Sequence, residues 1–412
     1  MQYLANDDPE VARIIQGEEA RMENTLDLIA AENHAPRSIF EAQGSIFSTK
    51  AAEGYPGRRF HAGCRYADEL ERLAIHRAEK LFGAGHANLQ PHSGVSANLA
   101  VYFSVLAAGD RILAMKLSHG GHLSHGDPAS VTSQCFDFRH YGLDLQTERI
   151  DYEAVRAMAE AFKPRMIIAG ASSYPRLIDY PLMADIAQSV SAYLLVDMAH
   201  IAGLVAAGVV PSPVPHADFV TFTTYKTLKG GRGGVILCKR AHAAKISKTI
   251  FPGAQGTPSL NLLAAKAVCL KLAMGSGFKQ EQRKILANAA AFAAGFENKG
   301  YRIVSGGTDN HLVLVDLRAK GLTGDVAEKT LEAVGIVVNR NVIPGDPEKP
   351  DVASGIRIGS PGVTARGMGE VEVAQIVALM DSAMINRGKG DVLDSVSREV
   401  ADLCRIFPIY RD

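Results

Sequence analysis

Residues 193–197, YLLVD, form a short apolar run that ends in an acidic residue. Residues 219–224, FVTFTT, form a second such run, and Lys226 follows closely after it. Short runs rich in apolar, β-branched and aromatic side chains are typical of buried parallel strands, whose carboxyl ends meet at the ligand-binding edge of an α/β sheet. We therefore expect Asp197 and Lys226 to lie at the same edge of a parallel sheet.

An acid and a lysine at neighbouring strand ends suit pyridoxal 5′-phosphate, and the glycine-rich stretch KGGRGG at 229–234 adds to this pattern. The lysine would form a Schiff base with the cofactor, and the acid would keep the pyridine nitrogen protonated so that the ring withdraws electrons. Either residue alone is more often a solvated strand end. The combination therefore carries this prediction.

Composition limits the classes of function. The 412 residues suffice for two or three domains, and Lys+Arg and Asp+Glu both number 44, which gives no charge excess for binding nucleic acid. No apolar run approaches the ~18 residues of a membrane span, although 47% of the residues are hydrophobic. Five scattered cysteines without a C-x-x-C pair argue against a disulfide framework or a zinc knuckle. We expect a cytoplasmic enzyme that associates with neither membrane nor nucleic acid.

The pattern of elements predicts three regions. Residues 1–27 would form an N-terminal helical arm, and residues 28–283 alternate strand-like and helix-like segments, which is typical of a mostly parallel sheet covered by helices. Residues 284–412 mix strands and helices and would form a smaller C-terminal α+β domain.

Two further segments predict cofactor contacts. Ser93 and Gly94 lie in a small, polar turn before an apolar helix, and such a turn offers free N–H groups to a phosphate, although an N-capped surface helix is the other interpretation. His119, His122 and His125 lie close together in sequence, which is compatible with a metal site. No acidic residue is interleaved with them, so we favour stacking of His122 on the cofactor ring, and we expect no metal.

Several motifs in order resemble the serine hydroxymethyltransferase family, a branch of the fold-type I pyridoxal-phosphate enzymes. The resemblance runs from about residue 28 to the last helix. It implies an α/β fold whose large domain holds a mostly parallel seven-stranded sheet, followed by a smaller α+β domain. The motifs are AEGYPG at 52–57, QPHSG at 90–94, HGGHL at 119–123, VDMAHIAGLV at 196–205, SGGTDNHL at 305–312 and SGIR at 354–357.

The resemblance also implies roles for individual residues. Lys226 would bind the cofactor covalently, Asp197 would pair with its ring nitrogen, His122 would stack on the ring, and Tyr225 and His200 would act beside them. The remaining cofactor contacts would come from Ser93, Gly94, Ser172 and, from a second subunit, Gly256. Such sharing implies a homodimer with shared active sites, and a tetramer is left open.

For the substrates, Arg357 would bind the amino-acid carboxylate with its planar pair of donors. Glu53 would manage the proton on the hydroxymethyl oxygen or on the folate. The folate, tetrahydrofolate, would be the one-carbon acceptor. Its contacts would be Glu53, Leu117, Gly121, Leu123 and Asn341.

The chain departs from the family near the substrate. Ala51 and His61 stand where the family usually has tyrosines, Tyr225 stands in place of histidine, and Ala31 replaces a serine. The smaller side chains at positions 51 and 61 would leave room for a substituent on the substrate α-carbon. In this the chain is similar to 2-methylserine hydroxymethyltransferases, which implies conversion of 2-methylserine to D-alanine with formation of 5,10-methylenetetrahydrofolate.

Other functions remain open at this level. An ordinary serine hydroxymethyltransferase acting on serine and glycine is the main alternative, and a folate-independent aldolase or a threonine transaldolase is the next. A catalytically silent paralogue is disfavoured, because Lys226, Asp197, Glu53 and Arg357 are all present.

Overall fold

The computed structural model describes residues 2–410. Its strands are β1 Leu26–Asp27, β2 Gly54–Tyr55, β3 Arg58–Arg59, β4 His86–Asn88, β5 Arg111–Met115, β6 Asp137–Tyr141, β7 Met166–Gly170, β8 Tyr193–Asp197, β9 Phe219–Thr223, β10 Gly234–Cys238, β11 Arg302–Ile303, β12 Leu312–Asp316, β13 Ile336–Val337, β14 Asn339–Asn341 and β15 Gly355–Gly359.

The helices alternate with these strands along most of the chain. They are α1 Gln2–Asp7, α2 Pro9–Asn24, α3 Arg37–Gln43, α4 Arg65–Phe82, α5 Gly94–Val105, α6 Val131–Cys135, α7 Tyr152–Phe162, α8 Tyr180–Ser189, α9 Ala202–Ala206, α10 Ala243–Lys248, α11 Leu260–Ala273, α12 Ser276–Asn298, α13 Gly324–Ala333, α14 Pro361–Ala365, α15 Glu370–Ile385 and α16 Gly390–Ile406.

The chain divides into two compact units. One is Ala35–Arg283, and the other combines the chain before Ala35 with the chain from Lys284 onward. Residues 28–34, which the sequence assigned to the large domain, group here with residues 2–27 and with the C-terminal part. The reason is strand pairing, since β1 lies parallel to β13, and the Gly359 N–H donates to the Leu28 carbonyl at 2.7 Å.

The central sheet of the Ala35–Arg283 unit contains seven of the described strands, in the order β4-β10-β9-β8-β7-β5-β6. Strands β6, β5, β7, β8 and β9 are parallel, whereas β10 is antiparallel to both of its neighbours. Strands β7 and β9 are buried along their whole length, because helices cover both faces of a parallel sheet. The prediction of a mostly parallel seven-stranded sheet is confirmed.

Local signals set the ends of several helices in this unit. The Asp151 carboxylate accepts the Ala154 N–H at 3.0 Å at the start of α7, and Asp179 caps α8 in the same way. Helix α4 ends at Gly83, whose φ of 66° is the left-handed conformation of a typical helix C-terminus. Helix α8 packs on β7 and β8, whereas α7 packs on β6 and on α8.

The other unit has its own core and a four-stranded sheet in the order β11-β12-β15-β14. The strands of this sheet pair in antiparallel fashion, and β15 lies between β12 and β14. Arg366 follows α14 in this unit and is almost fully buried. Its guanidinium donates to the carbonyls of Met22, Glu23, Thr25, Cys404 and Phe407, so it binds the end of α2 to the end of α16.

No single helix within residues 2–410 is long and apolar enough to cross a membrane. Only α11 and α12 taken together reach that length and composition, and they are bent by 83° where they join.

Candidate active site

A cavity lies at the carboxyl edge of the parallel strands in the Ala35–Arg283 unit, where the ends of β8 and β9 meet the start of α5. This is the edge at which α/β sheets bind ligands. Eight of the residues predicted from the sequence line it, namely Ser93, Gly94, His122, Ser172, Asp197, His200, Tyr225 and Lys226. Residues far apart in the chain therefore converge on one site.

Asp197 is the anionic group of this cavity. Its Oδ2 atom lies 2.8 Å from Asn98 Nδ2 and 3.1 Å from His125 Nε2, and its Oδ1 atom accepts the Ala199 N–H at 3.0 Å. Burial alone would raise the pKa of Asp197, but the hydrogen bond and the electrostatic attraction of His125 and the hydrogen bond from Asn98 lower it well below its usual range. The carboxylate therefore stays ionised and can hold a proton on a ring nitrogen.

His122 is held as a neutral ring. Its Nδ1 atom accepts the Ser124 N–H at 3.1 Å, which places the ring proton on Nε2. Burial lowers the pKa of His122 to about 4, although Asp197 acts in the opposite direction. A neutral imidazole with a fixed orientation is suited to stacking on a planar cofactor.

The three clustered histidines do not converge on one ion. His119 Nδ1 accepts the Leu143 N–H at 2.8 Å, whereas His125 faces Asp197. No group of three or more His, Cys, Asp or Glu side chains is placed to hold a metal ion in the part of the chain that the structure describes.

The predicted phosphate turn is the first turn of α5. The Ser93 Oγ atom accepts the Ser96 N–H at 3.1 Å and so caps the helix, leaving other first-turn N–H groups for an anion. Gly94 packs closely against β9, since a Cβ atom there would lie 2.8 Å from Thr223 Cγ2. The buried Thr223 Oγ1 atom has no hydrogen-bond partner among the described residues, which fits a ligand oxygen in this cavity.

Lys226 is buried in the wall of the cavity. Tyr225, the residue before it, packs against an arginine guanidinium. The Arg232 guanidinium lies 4.5 Å from the centre of the Tyr225 ring, and Lys226 Nζ lies 6.0 Å from the same centre. The substitution of tyrosine for the usual histidine is therefore accompanied by a stacked arginine that orients the phenol.

Together these residues fit pyridoxal 5′-phosphate. The buried lysine suits a covalent bond to its aldehyde, the ionised Asp197 suits its ring nitrogen, and the start of α5 suits its phosphate. The unpaired Thr223 hydroxyl gives the cavity a polar group that the protein alone does not satisfy.

Glu53 and its neighbours occupy a separate loop of the same unit and do not line this cavity. The Glu53 carbonyl accepts the Phe60 N–H at 3.0 Å, and Arg59 donates to the carbonyls on either side, those of Ala52 at 2.9 Å and Gly54 at 2.8 Å. Arg59 is itself held by ion pairs with Asp68 and Glu71. The backbone around Glu53 is therefore rigid.

The other predicted residues of this loop region lie nearby. Ala51 and His61 are both exposed, and Lys50 Nζ bonds the Ala51 carbonyl at 2.7 Å. A Cβ atom on Gly256 would lie 3.3 Å from Glu53 Oε1, so the predicted second-subunit contact lies beside the predicted acid. None of these three residues lines the cavity of its own chain.

The predicted folate contacts in this unit follow β5. Leu117 and Leu123 are exposed, at 43% and 55% of their surface, while Gly121 is buried between them. Two large apolar side chains in solvent are compatible with a flat aromatic ligand.

The remaining predicted substrate residues belong to the other unit. Arg357 lies on β15, where its Nε atom donates to Asn339 Oδ1 at 3.1 Å, and burial lowers its pKa to about 10. Asn341 lies on the adjacent β14 and donates to the Val342 carbonyl at 2.7 Å. Ala31 is half-buried in the segment that follows β1.

Two residues that contact Asp197 were missed from the sequence. Asn98 was given no role, and His125 was considered only as a possible metal ligand. Asn98 Oδ1 accepts the Thr221 hydroxyl at 2.6 Å, which aims its amide group at Asp197. The available signal was an amide side chain among the apolar residues 97–101, because a polar group in such a run needs a partner when it is buried.

Comparison with known proteins agrees with this geometry. The family model described as serine hydroxymethyltransferase matches residues 4–380. A curated protein named serine hydroxymethyltransferase, from Desulforapulum autotrophicum, is 52% identical over 405 residues, which cover 98% of this chain and 97% of that protein. The chain therefore belongs to the serine hydroxymethyltransferase family, whose members are enzymes that use pyridoxal 5′-phosphate as cofactor and tetrahydrofolate as co-substrate.

Proposed function

We propose that this enzyme interconverts serine and glycine, with transfer of the hydroxymethyl carbon of serine to tetrahydrofolate. The observation that carries the proposal is the cavity in which a buried Lys226 and an ionised Asp197 lie together. The serine hydroxymethyltransferase that is 52% identical over nearly the whole chain supports serine as the first substrate to test.

When bound, pyridoxal phosphate supplies an electron-withdrawing ring that weakens the bonds at the substrate α-carbon. Asp197 would hold a proton on the ring nitrogen, and the neutral His122 would pack against one face. Arg357 would bind the substrate carboxylate through two parallel hydrogen bonds. Glu53 would accept the proton of the substrate hydroxyl as the Cα–Cβ bond breaks, and the released carbon would pass to the folate with loss of water.

A second candidate substrate is 2-methylserine, which would give D-alanine. The observation in its favour is the pair Ala51 and His61, which are smaller than the tyrosines usual in the family and are both exposed in this chain. An extra methyl group on the α-carbon needs that space. The comparisons favour serine, so 2-methylserine stands second.

One assay separates these functions. The purified holoenzyme is given L-serine or 2-methylserine, each with and without tetrahydrofolate, and glycine and D-alanine are measured by chiral chromatography. If glycine formation depends on folate and kcat/KM is much higher for L-serine than for 2-methylserine, the proposal is supported. If D-alanine formation depends on folate and kcat/KM is higher for 2-methylserine, then 2-methylserine is the substrate. Product that forms equally well without folate contradicts both and indicates an aldolase.

The same proposal includes a homodimer with shared active sites. Glu53, Ala51 and His61 do not line the cavity of their own chain, and the exposed apolar side chains Ile46 and Phe60 lie close to them in sequence. Mixing Lys226→Ala with Glu53→Ala subunits should restore activity if the two residues act from different chains. No recovery in a confirmed mixed dimer contradicts sharing.

We place the enzyme in the cytoplasm. Its five cysteines form no disulfide, which supports a reducing compartment. Cell fractionation of the source organism is the direct measurement.

A further inference from the structure

Lys266 on α11 is a buried charged residue that the proposed reaction does not use. It is 2% exposed, and its Nζ atom donates to three backbone carbonyls, those of Leu89 at 2.7 Å, Pro91 at 2.9 Å and Gly234 at 2.9 Å. Three acceptors match the three N–H donors of an ammonium ion. The site is therefore built for a cation that binds backbone.

Opposing effects act on the pKa of Lys266. Burial lowers the pKa of Lys266 to about 7, and the Glu71 carboxylate on α4 acts in the opposite direction. The three carbonyl oxygens also favour the charged form, because an amine has only two N–H groups to offer them.

The bound carbonyls belong to the segment that leads into the phosphate turn. Leu89 and Pro91 precede Ser93 and Gly94, and the Gly234 N–H donates back to the Pro91 carbonyl at 3.0 Å. Gly233 gives the lysine its space, since a Cβ atom there would lie 2.1 Å from Lys266 Cε. The lysine thus joins β10 to the backbone immediately before α5.

A second side chain, that of Gln255, forms hydrogen bonds with the backbone of the same segment at Gln90 and His92. Gln255 Nε2 donates to the Gln90 carbonyl at 2.9 Å, and Gln255 Oε1 accepts the His92 N–H at 3.1 Å. Lys266 and Gln255 together bind consecutive backbone groups from Leu89 to His92. Such a turn keeps its N–H groups in place before a ligand arrives, which lowers the free-energy cost of binding an anion.

We infer that Lys266 is a positioning residue for the cofactor phosphate, acting through the backbone of residues 89–92 and not by direct contact. The inference rests on the proposed placement of the phosphate at Ser93 and Gly94. It goes beyond that placement by assigning phosphate affinity to a side chain on a helix outside the cavity.

The test compares pyridoxal 5′-phosphate with pyridoxal, which has the same ring and aldehyde but no phosphate. Apoenzyme is titrated with each by isothermal calorimetry, a method that suits a chain without tryptophan. Lys266→Met should weaken binding of the phosphorylated form by about tenfold or more and change pyridoxal binding by no more than about twofold. A general loss of structure would weaken both equally.

Three further variants complete the design. Lys271→Met makes the same change at an exposed position of α11 and should alter neither affinity. Lys266→Gln keeps two N–H donors and carries the same test if the methionine variant does not fold. Ser93→Ala reports on the phosphate position itself.

Each outcome is decisive. Selective loss of pyridoxal 5′-phosphate binding in the Lys266 variants supports the inference. Equal loss for both ligands, or loss for neither, overturns it while the proposed function stands, provided that Ser93→Ala is selective. If Ser93→Ala leaves the preference for the phosphorylated form unchanged, the proposed phosphate position is wrong and the inference is overturned with it.

Discussion

The Nε2 atom of His125 lies 3.1 Å from Oδ2 of Asp197, and both side chains line the cofactor cavity. Asn98 donates to the same oxygen at 2.8 Å. A buried carboxylate without such partners would become protonated, because burial raises its pKa. The pair therefore preserves the charge that we propose for pairing with the cofactor ring.

His125→Ala should make cofactor binding sensitive to acid. The lowered pKa of Asp197 means that its ionised form is present at neutral pH and is lost only as the pH falls through that lowered value. Without His125 the pKa rises, so the loss moves to higher pH. We expect the dissociation constant for pyridoxal phosphate to rise on acidification in the variant at a higher pH than in the wild type. The exposed His76→Ala is the control, and parallel pH profiles for His125→Ala and wild type would contradict the prediction.

Lys226→Ala should abolish turnover while the protein keeps its fold. The proposed reaction requires a covalent link between Lys226 and the cofactor, whereas Lys226 lies outside β9, so that loss of its side chain should leave the central sheet intact. Steady-state assays with circular dichroism test both parts. Lys245→Ala on the surface of α10 should keep full activity, and turnover near the wild-type rate in Lys226→Ala would refute the assignment.

Arg357→Ala should weaken amino-acid binding by about 3 to 5 kcal/mol, the usual effect of removing one partner of a buried charged pair. Arg357→Lys should recover only part of this loss, because an ammonium group cannot form two parallel bonds to a carboxylate. The Michaelis constants for serine and glycine measure the effect, and the dissociation constant of the cofactor is the control. An unchanged Michaelis constant in both variants removes Arg357 from the substrate site.

Ala51→Tyr combined with His61→Tyr should shift substrate preference toward serine. The two phenol rings would fill the space that a methyl group on the substrate α-carbon needs. The measured quantity is the ratio of kcat/KM for serine to that for 2-methylserine. If the ratio does not move, the argument from pocket volume is wrong.

The sequence predicted the central strands well because their signal is local. The run 193–197 and the run before Lys226 are apolar and short, and both form buried strands at the predicted edge. Strand β10 received no prediction, since it follows a glycine-rich stretch and runs antiparallel to its neighbours. A strand that begins with glycines is difficult to predict from the pattern of side chains, because glycine has no side chain.

The remaining differences arise from contacts between distant residues. Leu26 pairs with Ile336, so residues 28–34 group with the C-terminal part and not with the predicted large domain. No local sequence pattern predicts such a pairing. The hydrogen bond between His125 and Asp197 likewise joins residues that are far apart in the sequence. The sequence therefore showed a cluster of histidines but not that one of them contacts Asp197. The motifs predicted residues that the structure brings together in one cavity, because the family resemblance already contains that long-range information.

Arg366 has a consequence for how the protein is made. Its five carbonyl acceptors come from both ends of the chain, Met22 to Thr25 and Cys404 to Phe407. On a ribosome, the segment Ala35–Arg283 is synthesised in full while the carbonyls at the end of α2 still lack Arg366. The contacts of Arg366 can be completed only after α16 has emerged, so Arg357, which we propose for substrate binding, lies in the unit that is completed last.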